Sequence, residues 1–247
     1  MYLAFVELDV FSGISVFAPL ASTSAPVYPL PPPTTLVGAL AYPLLRSKYS
    51  REVDGEYSTA HRLLNNVVYA TAGAKGYSVS RDVERIYQAI YQRKERWEKL
   101  EYKDLWYGIG VRGVATYLDD KLYVVYISRD ELVLKYVYGI TRVGRKESHV
   151  APRRIIIGKV EDFIKYVNSF ETIFYVPTRI AECEDTLTIA MPRLSRHNFE
   201  KTTQPELEDF YVPRGLGSMQ CNVKDGEGLV LEIDGFTLAV PKVLTHR

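Results

Sequence analysis

From Val10 to Leu45 the chain runs 36 residues without a charged side chain, and seven prolines and seven serines or threonines are spread through that stretch. Uncharged backbone of this length belongs inside a structure, yet proline removes N–H donors and breaks helical hydrogen bonding. The stretch therefore cannot satisfy itself as one membrane-spanning helix. It is read as an extended loop leading into a helix within a folded domain, and no membrane partner is expected. A basic leader is missing, so a secretory signal is not expected either. The 247 residues, 47% of them apolar, suffice for a sizeable core and exclude disorder as the main state.

Around this loop the pattern alternates between strands and helices. Tyr2, Ala4, Val6, Leu8 and Val10 share one face of an opening strand, and Glu7 and Asp9 lie on the other. Thr34 or Thr35 offers an N-cap hydroxyl to a first helix, with Leu36, Val37, Leu40, Ala41, Leu44 and Leu45 at helical spacing and Pro43 late in it. A polar, Tyr-rich insertion follows at about 48–107, within which Arg81 to Lys103 is expected to be an exposed amphipathic helix. Val111 to Tyr117 and Leu122 to Ile127 are expected to pair as a hairpin across Asp119-Asp120-Lys121. A second helix from Asp130 to about Tyr138, a glycine-punctuated loop from Gly139 to Arg154 and a strand at Ile155 to Ile157 complete a β-α-β-β-α-β order, that of a ferredoxin-like (RRM-like) α+β domain. Residues 161–247 are expected to form a β-rich C-terminal region. It holds a short helix at Glu161 to Phe170, strands near Phe174 to Val176 and Leu187 to Ala190, an irregular stretch from Arg193 to Gly217, and a closing hairpin turning at Asp234-Gly235.

Charge is unevenly distributed. Residues 46–154 hold 21 basic and 14 acidic side chains, a surplus of +7, whereas residues 1–45 carry −2 and residues 155–247 carry −4. The densest cluster is Lys135, Arg142, Arg145, Lys146, Arg153 and Arg154, opposed by Glu147 alone. With Gly139 and Gly144 in the same loop, backbone N–H groups and Arg side chains together suit a phosphodiester, the chemistry of a nucleic-acid contact. A solvated loop, or a basic patch meeting an acidic protein, fits the same composition. His61, His149, His197 and His246 are scattered, and no hydrolase elbow, phosphate-binding P-loop or paired His ligands occur. Cys183 and Cys221 have no CxxC spacing, so neither a zinc site nor a disulfide framework is expected, and a reducing cytoplasm is the expected compartment. No metal, cofactor or small-molecule substrate is expected.

Three features together resemble the fifth family of CRISPR-associated proteins, in the RAMP superfamily, and its archaeal type I-A branch above all. They are the first strand with its Pro-rich loop running into PPPTTLVGAL, the ferredoxin-like order, and ITRVGRKESHV after the second helix. The resemblance spans residues 1 to about 160 well and the remainder loosely. It implies a RAMP domain over residues 1–160 with an inserted thumb within 48–107. It also implies a non-catalytic RNA-binding subunit of the Cascade interference complex in antiviral defence. Such a subunit grips the 5′ handle of the guide RNA and caps the filament of the backbone subunit, with that subunit and the large subunit as partners. The family's helix start maps to Thr34 and Thr35, and its glycine-rich loop to Arg142, Gly144, Arg145, Lys146 and Ser148. His149 completes the set of candidate RNA contacts. One branch, in type I-C systems, cleaves precursor guide RNA without metal through a Tyr, Lys and His constellation. Lys146 and His149 imitate part of it, making a metal-independent endoribonuclease the alternative reading, but no tyrosine matches by position.

Overall fold

The computed structural model describes residues 1–18, 26–48, 51–86, 108–200 and 204–242. The chain opens with β1 (Tyr2–Val10), α1 (Pro33–Ser47), the small hairpin of β2 (Val53–Asp54) and β3 (Tyr57–Ser58), and a 3-10 turn over Thr59–Asn65. Next come β4 (Val67–Gly73), β5 (Tyr77–Ile86), β6 (Gly108–Tyr117), β7 (Lys121–Ser128), the one-turn α2 (Glu131–Leu134) and β8 (Val150–Lys159). The remainder is built from short strands: β9 (Ile164–Lys165), β10 (Ser169–Thr172), β11 (Val176–Pro177), β12 (Ala181–Glu184), β13 (Thr186–Pro192), β14 (Leu207–Pro213), β15 (Met219–Val223), β16 (Gly228–Ile233) and β17 (Phe236–Pro241). The fold is thus α+β, with many strands and few helices.

A four-stranded sheet in the order β4-β7-β1-β8 forms the centre, and every neighbouring pair in it is antiparallel. β1 is interior and buried on both faces. Ala4, Val6 and Leu8 point into a core shared with Leu36, Val37 and Leu40 of α1, and with Phe210 and Val212 of β14. Leu3 and Phe5, on the face that also bears Glu7 and Asp9, pack beneath Leu231, Ile233, Leu238 and Val240 of the β16–β17 hairpin. Segments from the second half of the chain therefore close both faces of the sheet.

Several elements depart from expectation. α1 begins at Pro33 after Pro32 as N-cap, and no side chain caps it, so Thr34 and Thr35 stand inside the first turn and not at the cap. Proline suits this start because its missing N–H has no helical partner to lose. The second strand of the sheet is β4, drawn from what the sequence suggested was a polar insertion. β6 and β7 do not pair with each other: Asp119 and Asp120 take left-handed φ values of 58° and 52°, and the chain leaves one sheet for another between them. β6 instead pairs with β5 in a two-stranded ribbon, from Tyr77↔Tyr117 to Ile86↔Gly108. Arg81 to Ile86 is therefore strand, not helix, and the rest of the expected helix lies outside the described residues. The second helix is a single turn capped by the Asp130 carboxylate, which accepts the Leu132 N–H, and a 3-10 turn continues it to Gly139. Glu161 to Phe170 forms a 3-10 turn and short strands instead of a helix, and Arg193 to Gly217 contains β14. The closing hairpin is as expected, with Asp234 and Gly235 at φ 55° and 80°. A disulfide joins Cys183 to Cys221, facing residues of β12 and β15, which corrects the expectation that the spacing of the two cysteines suggests no disulfide. Among the described residues no helix is long and apolar enough to cross a membrane.

Candidate functional site

The basic turn between α2 and β8 is held in shape by its own backbone. The Val143 N–H donates to the Ser148 carbonyl, the Ser148 N–H to the Arg145 carbonyl, and the Val150 N–H to the Thr141 carbonyl. Gly144 sits at φ 84°, and a Cβ there would stand 2.7 Å from Val16 Cγ2 and 2.8 Å from the Ser15 carbonyl oxygen. Glycine is needed for its conformation and for the close approach.

That approach attaches the turn to the segment after β1. The Phe11 N–H donates to the His149 carbonyl at 3.1 Å, and the Arg145 N–H donates to the Ser15 carbonyl at 3.3 Å. The Ser15 N–H donates to Ser148 Oγ at 3.0 Å, and the Ser12 hydroxyl donates to the Glu147 carbonyl. Ser148 is fully buried by this arrangement. Its hydroxyl is a brace for the turn and not a group offered to a ligand, contrary to its place among the candidate contacts.

The cations divide into engaged and available. Arg142 lies with its guanidinium 4.0 Å from the ring centre of Tyr42 and 3.3 Å from a carboxylate oxygen of Glu52. Arg145 covers the Phe17 ring at 4.2 Å and is exposed. Lys146 and His149 are exposed, and among the described residues neither side chain is held by a hydrogen bond or ion pair. Arg153 reaches Glu7 and Asp9 at 3.9 and 3.7 Å, and Arg154 pairs with Asp234 at 2.6 Å. Lys135 is exposed and likewise without such a partner among the described residues, so the six-cation cluster presents a smaller positive surface than its count suggests, made of Lys135, Arg145 and Lys146 with Arg142 half-buried beside them.

Of the three features expected to converge, two do. The end of β1 and the basic turn are joined, since Val10 pairs with Val150 at the base of the turn. The start of α1 lies elsewhere. The Tyr126 hydroxyl donates to the Leu36 carbonyl, and Tyr126 stands opposite Ala4, six residues and about 20 Å along β1 from Val10. What α1 brings to the turn is Tyr42, about 12 Å along the helix from Thr34. Beside the helix start is a separate cleft of about 480 Å³, lined by Pro33, Ala70, Arg179, Arg193, Ser195 and Phe210 among others. Both of its arginines are paired, Arg179 with Glu208 and Arg193 with Glu206. Sequence reasoning missed Phe11, Phe17, Tyr42 and Glu52 as parts of the site. Phe11 carried one signal, as an aromatic at the next odd position after Glu7 and Asp9. No group of three or more His, Cys, Asp or Glu side chains among the described residues is arranged to hold a metal.

No protein-family model matches the chain. It is 34% identical over 161 residues to the CRISPR system aCascade subunit Cas5 1 of Saccharolobus solfataricus, a match covering 63% of this chain and 65% of that protein. To the CRISPR-associated protein Cas5 3 of the same organism it is 31% identical over 189 residues, covering 69% of this chain and 77% of that one. Its fold is similar to the crystal structure of a CRISPR protein from Archaeoglobus fulgidus, with a TM-score of 0.61 and 17% identity over 98% of this chain and 99% of that one. A chain of a CRISPR RNA-guided surveillance complex matches with a TM-score of 0.51 and 12% identity, over 98% and 92% of the two chains. At these identities the two structures speak for the fold, and the sequence relatives speak for descent: the chain belongs to the Cas5 family of CRISPR-associated proteins.

Proposed function

We propose that this chain is the subunit of a type I-A Cascade complex that grips the 5′ handle of the guide RNA at the Arg142–His149 turn and caps the filament of backbone subunits. One observation carries the reading: a turn braced from behind by Ser12, Ser15 and Ser148 carries the exposed Arg145 and Lys146, with the half-buried Arg142 beside them on Tyr42 and Glu52. Cations fixed on rigid backbone lose little freedom when a phosphate arrives, which favours binding over a flexible loop of equal charge. The first relative's name, an aCascade subunit, supports the assembly, and we read the backbone and large subunits as its partners. The order β4-β7-β1-β8, with α1 following β1 and α2 following β7, supports reading the sheet as a ferredoxin-like RAMP domain and the β5–β6 ribbon as the root of its thumb.

We read the subunit as non-catalytic. A general acid or base has to be oriented towards the proton it moves, and nothing among the described residues orients the His149 ring. Replacing Arg142, Arg145 and Lys146 together by Ala is expected to weaken binding of handle RNA and to lower the slope of log affinity against log salt by about 2, at roughly 0.7 per phosphate contact on a single strand. An unchanged salt titration overturns the turn as the RNA site. Cleavage of repeat RNA by the pure protein in EDTA overturns the non-catalytic reading.

A further inference from the structure

We propose that Phe11 is a stacking platform for one unpaired base of the RNA strand whose phosphates lie on the Arg142–His149 turn. This rests on the RNA-binding reading above and adds to it a contact with a nucleobase.

Phe11 is 69% exposed, whereas each of the other eight phenylalanines is buried or half-buried. A lone exposed aromatic needs no explanation when it rides on loose chain. Phe11 does not. Its N–H is bonded to the His149 carbonyl, the hydroxyl of Ser12 is bonded to Glu147, and Ile14 exchanges backbone hydrogen bonds with Ala115 on the β5–β6 ribbon, each 2.8 Å long. The ring thus stands on backbone fixed from both sides, one hydrogen bond from His149 and three residues in sequence from there to Lys146.

Arg153 and Arg154 are held by acidic partners, Arg142 shares its charge with Glu52, and Arg145 gives one face to Phe17. Few cations remain for phosphates, so a grip built on phosphates alone is weak and easily washed out by salt. Base stacking on an aromatic ring supplies affinity that salt does not screen, and it tolerates any base because every base has a π-face. Phenylalanine, which has no hydroxyl to satisfy, suits that role.

The test uses fluorescence anisotropy with a fluorescein-labelled single-stranded RNA carrying the guide's 5′ handle, at several salt concentrations. Phe11→Ala is expected to weaken binding about tenfold to a hundredfold with the salt slope unchanged, and Phe11→Trp to retain binding. In a series of RNAs with one abasic nucleotide each, one position is expected to weaken the wild type as much as Phe11→Ala does, and to add nothing in that variant. Because the ring is exposed, the melting temperature of Phe11→Ala is expected to match the wild type, which separates lost stacking from lost folding. Binding of Phe11→Ala within twofold of the wild type, while the triple Ala variant of the turn is weakened, overturns the platform and leaves the RNA site standing. Failure of the wild type to bind the RNA overturns both. Phe11→Ala that binds RNA normally but no longer associates with a neighbouring subunit also overturns the platform and makes Phe11 a protein contact.

Discussion

Glu7 and Asp9 sit on one face of β1, and Lys121 on β7 hydrogen-bonds both, at 2.6 and 2.9 Å. Strand periodicity marks that face as polar, but Leu3 and Phe5 on the same face are buried, so the carboxylates stand at the rim of a core with only 16% and 32% of their side chains exposed. Two like charges in such a place repel unless a cation sits between them. The hydrogen bonds to Glu7 and then to Asp9 raise the Lys121 pKa above its ordinary 10.5. A raised native pKa means that the stabilisation is fully present below the unfolded value and is lost as pH climbs through the native one. Lys121→Met is therefore expected to lower stability by about 1–2 kcal/mol near pH 8, with the gap to wild type closing in strongly alkaline solution. Urea midpoints of both proteins at a series of pH values check this, and a gap that stays constant beyond pH 11 removes the ion cluster as its cause.

Where turn chemistry is local, the elements follow from the sequence. The β16–β17 hairpin needs two left-handed residues, and Asp234-Gly235 supplies them; β1 declares itself by alternation. The β5–β6 ribbon does not, because Arg81 to Ile86 has apolar residues at helical spacing and its true partner, Gly108 to Gly113, lies more than twenty residues away. The same division holds at the site. Gly144 and the arginines are legible in one short motif, whereas Phe17, Tyr42 and Glu52 are brought to it only by folding, from 90 or more residues upstream. The Cys183–Cys221 disulfide is illegible in the sequence for that reason too: spacing of 38 says nothing of pairing, and only the register of β12 against β15 sets the two side by side. Closing a loop of that size restrains the unfolded chain by at most about 4 kcal/mol. The double variant Cys183→Ser, Cys221→Ser is accordingly expected to melt several degrees below oxidised wild type, and wild type in excess dithiothreitol to fall to the variant's value. Equal melting points with and without reductant show that the cross-link carries no stability.

Both faces of the central sheet are covered by segments drawn from the second half of the chain, so the first half is not expected to fold independently. β14 packs beneath the face that α1 also covers, while β16 and β17 cover the face of Leu3 and Phe5. Phe236 joins the parts most directly, with its ring 5.7 Å from Phe5 of β1, 4.6 Å from Tyr123 of β7 and 6.3 Å edge-on from Phe174. Three aromatic contacts to two strands and a connecting segment make it a shared piece of core and not a feature of the hairpin alone. Truncating it leaves a cavity beside Phe5 that the rigid sheet cannot close. Phe236→Ala is expected to cost about 2–4 kcal/mol. More tellingly, it is expected to lower one cooperative transition instead of splitting it, because the hairpin cannot detach without uncovering the strand on which the basic turn is mounted. Circular dichroism and tyrosine fluorescence melts followed together decide the matter: coincident curves at a lower temperature support a single core, and an early transition confined to one probe means that the C-terminal hairpin unfolds by itself and leaves the sheet intact.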